Sequence, residues 1–141
     1  MKKSPAPRPT EAELAILRVL WERGPSTVRQ VHDVLAPERE SGYTTTLKFM
    51  QLMTEKGMLE REEDGRVHLY RAAYAREATQ QRLIVDLLER AFGGSSAKLV
   101  IQALTAKPAS AEELREIRKL LDTERRSGVP AEIAKKEKDR G

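Results

Sequence analysis

Apolar positions recur along this chain at helical spacing, with one alternating stretch in the middle. Leu14, Leu17, Val19, Leu20 and Trp21 give a first helical face, ended by Gly24-Pro25. Thr10 and Glu13 have the spacing of a capping box, in which each side chain satisfies a backbone amide of the other. Ser26 is expected to cap a short second helix with Val28, Val31, Val34 and Leu35 on its apolar side, stopped by Pro37. A third helix is expected over Gly42–Gly57, GYTTTLKFMQLMTEKG, capped by Thr44 or the residue before it. In it Thr46, Phe49, Met50 and Met53 share an inner face, and Gly57 is a natural stop because glycine takes a left-handed conformation freely.

The period then changes. In LEREEDGRVHLY, Leu59 and Arg61 alternate before a charged turn, and Val67 and Leu69 alternate after it. Asp64-Gly65 predicts a hairpin, since a tight turn needs residues that tolerate positive φ. Two strands directly after a third helix make a wing. The expected fold is therefore mainly α: a winged helix-turn-helix N-terminal domain with a small two-stranded wing, plus a C-terminal helical dimerisation domain.

That second part begins with a helix over Tyr74–Phe92, broken by Gly93-Gly94. A further helix starts at Ser95 or Ser96, and a last one at Ser110 with Glu113 as a second capping box. The apolar stripes are Leu83, Ile84, Leu87, Leu88, Ala91 and Phe92, then Leu99, Val100, Ala103 and Leu104, then Leu114, Ile117, Leu120 and Leu121. Roughly 50 residues of amphipathic helix are marginal as a lone unit. These stripes either pack back on the N-terminal domain or pair two copies; the two-fold dimer is preferred because a two-fold DNA reader needs pairing. The expected organisation is an arm over 1–9, disordered by its three prolines, a winged-helix domain over 10–73, a helical dimerisation domain over 74–124 and a disordered basic tail over 125–141.

Composition narrows the chemistry. The net charge is only +4, and the excess sits in the tail: residues 1–75 hold 12 basic and 11 acidic groups, 76–124 hold 8 of each, and 125–141 hold 6 and 3. Bulk charge alone thus does not establish a nucleic-acid partner, although a neutral domain can present a basic face. There is no cysteine, which excludes disulfides, thiolate metal sites and cysteine nucleophiles. His32 and His68 are the only imidazoles; His32 reads as a surface or boundary residue, and no metal ligands are assigned. No Gly-rich phosphate loop, activated nucleophile or apolar carboxylate pair is present, so no enzyme activity and no cofactor are expected. No run reaches the ~20 apolar residues of a membrane span, and the start lacks a signal-peptide pattern, so the expected location is cytoplasmic without membrane insertion.

The third helix carries the functional reading. Thr45, Lys48 and Gln51 point away from its apolar face. Lys can reach guanine or phosphate, Gln can pair with adenine and a Thr methyl can touch thymine. On the hairpin, Arg61, Arg66, His68 and Arg71 either reach phosphates or the minor groove, or form a solvated surface, with Glu60, Glu62, Glu63 and Asp64 opposing deep insertion. A DNA-binding repressor is the leading reading. The alternative is a winged-helix protein-interaction module without sequence-specific DNA binding.

In order, TEAELAILRVLWERGPSTVRQVHDVL, GYTTTLKFMQLMTEKGML, GRVHLYRA, AFGGSSAKLVIQAL and SAEELREIRKLL resemble the bacterial penicillinase-repressor and methicillin-resistance-regulator family, to which copper-responsive repressors are related. The resemblance covers about residues 8–123. It implies a dimeric repressor on a palindromic double-stranded DNA operator, with the third helix in the major groove and the C-terminal helices holding the homodimer. By position it assigns Tyr43, Thr44, Thr45 and Lys48 to the DNA-contacting segment. Relatives often carry a basic residue at the positions of Leu47 and near Leu52. It further implies release by an inducing signal, in antibiotic-responsive relatives proteolysis by a membrane sensor protease near the Phe92–Lys98 stretch. The relatives' Asn-Phe cleavage pair is absent here, as is the cysteine motif of the copper-responsive members.

Overall fold

The computed structural model describes residues 6–38 and 42–126. Among them are six α-helices and one antiparallel hairpin: α1 (Glu11–Arg23), α2 (Val28–Leu35), α3 (Tyr43–Glu55), β1 (Leu59–Asp64), β2 (Val67–Ala72), α4 (Arg76–Ala91), α5 (Ser96–Ala106) and α6 (Ala111–Arg126). The chain divides into two compact units, Met1–Gly94 and Ser95–Gly141. The sequence-based boundary lay at residue 74, so α4 groups with the first unit rather than with the last two helices. The basic tail lies largely outside the described residues, with α6 running to Arg126.

The first unit is a winged helix. Its core is aliphatic and methionine-rich: Ile16, Leu17, Val19 and Leu20 of α1, Val28 and Val31 of α2, Met50 and Met53 of α3, then Met58, Leu59 and Tyr70. Met50, Met53 and Val31 are fully enclosed. Such a core is expected of a chain with few aromatics, because flexible thioether side chains fill irregular gaps between helices.

Local chemistry explains the element ends. Thr10 and Glu13 form the capping box of α1. The second helix is capped by Thr27, not Ser26: Thr27 Oγ1 accepts from the Gln30 backbone amide at 3.1 Å and Gln30 Oε1 accepts from the Thr27 backbone amide at 2.9 Å. Gly42 stands at the N-cap of α3 with no side-chain cap, so neither Thr44 nor Tyr43 has that role. The chain leaves α3 through Gly57, at φ +82°. Ser110 and Glu113 make the box that starts α6.

Ser26 has a different task. Its backbone pairs with Tyr70 of β2 in both directions, at 3.0 and 2.8 Å, so the α1–α2 turn is stitched to the wing. The hairpin turn is Gly65-Arg66. Gly65 has φ +67°, and no non-glycine residue described has positive φ, the pattern of a type II′ rather than a type I′ turn.

The arm expected to be disordered is placed from residue 6. Ala6 and Pro9 are buried, and Arg8 Nη1 meets Asp86 Oδ2 of α4 at 2.8 Å. Arg8 is thus engaged by a carboxylate. Lys2 and Lys3 lie outside the described residues.

Candidate nucleic-acid interface

The exposed face of α3 follows from how the helix is anchored. Thr46, Met50 and Met53 are buried, while Leu47 and Phe49 pack against the core from the side. Thr44, Lys48, Gln51 and Glu55 consequently form an outward row, with Thr45 and Leu52 beside it. All six are exposed, as is Tyr43 at the helix start. The structure therefore brings Thr44, Lys48 and Gln51 onto one accessible face with Thr45 at its edge, while Tyr43, also exposed, lies at the helix start on the side of α2. Leu47, where relatives often have a basic residue, contributes to the core here; Leu52 stays 42% exposed.

The start of α3 is braced by α2. Thr46, a polar residue on an apolar face, meets Nδ1 of His32 through its hydroxyl at 3.1 Å. The His32 ring also sits edge-on to Tyr43, with centroids 6.0 Å apart and planes at 87°. Arg29 covers the Tyr43 ring, its guanidinium carbon 4.5 Å from the centroid. This places a second exposed cation, Arg29, beside the helix start. Sequence reading missed it. The available signal was the spacing of Arg29 and His32, one helical turn apart, which puts both on the face of α2 that meets Tyr43.

The other end of α3 is tied to α1. Lys56 Nζ lies 2.9 Å from Glu13 Oε2, while Glu13 Oε1 accepts from the Thr10 amide at 2.9 Å. Burial by itself would raise the Glu13 carboxyl; the Thr10 amide and hydroxyl and the Lys56 ammonium outweigh it and hold the group below the usual range. The helix is thereby fixed at both ends before any ligand arrives, which reduces the ordering cost of binding.

The hairpin sorts its charges by face. Directly opposed residues share a face, so Arg61 with Tyr70 and Glu63 with His68 lie on the side of the buried Leu59. Glu60 with Arg71 and Glu62 with Leu69 lie on the other. There Arg71 is held by Glu60 at 3.7 Å and Glu62 at 3.9 Å. His68 lies 3.7 Å from Glu63, and Arg66 stands exposed in the turn. No group of three or more metal-binding side chains occurs among the described residues. No described helix is long and apolar enough to cross a membrane.

The second unit, together with α4, presents apolar faces. Leu99, Leu104, Leu114 and Ile117 are half-buried, whereas Val100 and Leu121 are exposed. On α4, Leu83 and Leu88 are half-buried, and Ile84 and Leu87 are exposed. The open faces also include Leu120, read in the last stripe, and Val85 and Ile101, which the stripes read from sequence left out; Ile101, Leu120 and Leu121 are at least 60% exposed. Thr79 is the one buried residue of α4.

Transcriptional regulator BlaI of Mycobacterium tuberculosis is 35% identical over 82 residues, which cover 57% of this chain and 59% of that one. The chain thus spans less than two thirds of the length of this relative. Among solved structures, the Bacillus licheniformis BlaI monomer in complex with the blaP half-operator is similar at TM-score 0.47 and 24% identity, over 55% of this chain and 93% of that one. A probable transcriptional regulator from Pseudomonas aeruginosa is similar at TM-score 0.42 and 22% identity, over 82% and 77%. The sequence profile of the penicillinase repressor matches residues 9–123, from the capping box of α1 into α6, and the chain belongs to the penicillinase repressor family.

Proposed function

We propose that this protein is a DNA-binding transcriptional repressor that acts as a homodimer on a palindromic operator. The observation that carries the reading is the face of α3: threonine, lysine and glutamine side chains exposed on a helix fixed at both ends. In this reading α3 enters the major groove, where Thr45, Lys48 and Gln51 meet base edges. Tyr43 and Thr44 lie at the helix start, with Arg66 and His68 on the wing. Phosphate contacts supply most of the affinity and base contacts set the register.

Dimerisation uses the open apolar faces of α4, α5 and α6. Their exposure in a single chain supports a second copy as the occupant, since exposed apolar helix faces of this kind mark association sites. Release of the operator follows an inducing signal. Cleavage by a membrane sensor protease near Phe92–Lys98 is the form this takes here, supported by the exposed Gly93 and Gly94. If the purified protein stays intact and DNA-bound when its sensor partner is activated, that mode of release is wrong.

The test of DNA binding is a mobility shift on the DNA upstream of the chain's own gene, titrated with salt. A retarded band whose affinity falls steeply with salt is expected. Weak binding with little salt dependence would favour a protein partner, a reading to which the acidic outer face of the wing, Glu60 and Glu62, is suited.

A further inference from the structure

An open cleft separates the C-terminal half of α3 from the base of the wing, lined by Gln51, Thr54, Glu55, Arg61 and Tyr70. Arg61 differs from the other hairpin cations. Among the described residues it makes no ion pair, whereas Arg71 is engaged by Glu60 and Glu62 on the opposite face, and His68 lies beside Glu63. Glu55 lines the same cleft without pairing to Arg61, so the guanidinium charge is not neutralised there. Arg61 also stands on the fixed part of the hairpin. It is opposed by Tyr70, which is buried and bonded on its far side to Ser26. Arg66, by contrast, occupies the turn.

Groove dimensions decide what such a side chain would meet. The B-DNA major groove is ~12 Å wide, and a helix with its side chains is ~10–12 Å across. One helix therefore fills the groove, and a side chain on the strand beside that helix faces the groove wall, which is phosphate. We propose that Arg61 contacts the backbone phosphate bordering the groove that α3 occupies, and that it contributes affinity without base preference. This deepens the repressor reading and rests on it.

The test uses the full chain and two duplexes: one recovered by selection from random sequence, and one of unrelated mixed sequence. Affinity is measured from low to moderate salt for wild type, Arg61→Gln, Arg61→Lys and Arg71→Gln. Each phosphate contact adds ~0.9 to the slope of log affinity on log salt, which corresponds to about fivefold in affinity at physiological salt. Arg61→Gln should lose about that factor per protomer on both duplexes and flatten the slope by ~0.9 per protomer, or ~1.8 for a bound dimer, with an unchanged preference in a repeated selection. Arg61→Lys should keep the slope, and Arg71→Gln should behave as wild type. Unchanged affinity and slope in Arg61→Gln would overturn the contact. So would an unchanged slope with a shifted selection profile, which would make Arg61 a base reader. A wild-type chain that binds neither duplex would instead overturn the repressor reading itself. Thermal unfolding of each variant keeps misfolding distinct from loss of contact.

Discussion

Replacing Glu13 by glutamine isolates what the tie between α1 and α3 contributes. The substitution keeps an oxygen to accept from the Thr10 amide and removes only the charge that faces Lys56. The pair is lopsided: the Glu13 side chain is 4% exposed and that of Lys56 is 55% exposed. A hydrogen bond to a charged group contributes about 1.5–3 kcal/mol, whereas an exposed ion pair contributes only ~0–1 kcal/mol. With one partner half in water, about 1–1.5 kcal/mol is expected for Glu13→Gln. Glu13→Ala also loses the cap and should cost ~1 kcal/mol more. For a domain of this size each kcal/mol lowers Tm by roughly 4–8 °C, so Glu13→Gln should melt about 5–10 °C lower. The pH dependence has a definite sign. Because the folded carboxyl is held below its ordinary range, its contribution is complete above that range and is lost as pH falls through the folded value. Thermal unfolding followed by circular dichroism at neutral and acid pH reads both effects. A Glu13→Gln protein as stable as wild type at neutral pH, or a gap that widens on acidification, would refute the reasoning.

Two further outcomes bear on function. Lys48→Ala should weaken binding to the specific operator by about 1–3 kcal/mol in a footprinting titration, and an unchanged footprint and affinity would count against α3 as the reader. Leu87→Glu, on the open face of α4, should yield a monomer in sedimentation and weaken operator binding; a dimer that survives it would overturn the interface assignment.

What could be read from sequence was what is local. The boxes at Thr10–Glu13 and Ser110–Glu113 span three residues each, and both form as read. The inner face of α3 follows from spacing alone. The misassigned cap at Ser26 shows where local reasoning stops: two hydroxyl residues stand in a row, and Gln30 selects Thr27. Ser26 is then claimed by Tyr70, far along the chain. The same distance hid the Glu13–Lys56 pair, the Arg8–Asp86 contact that orders residues 6–9, and the Arg29–Tyr43 stacking. Arg61 was readable as a wing cation. Its distinction from Arg71 needed the hairpin register, which decides the face on which each one stands.

The double hydrogen bond between Ser26 and Tyr70 carries a kinetic signature. Both residues are almost wholly buried, and the two amides close a loop that no local fraying can open. Their protons should exchange with solvent only through the global unfolding of the first unit, while amides near Gly65 exchange through local opening. The wing is thus two objects in dynamic terms: a base that lives and dies with the helical core, and a tip free to adjust its path on its own timescale.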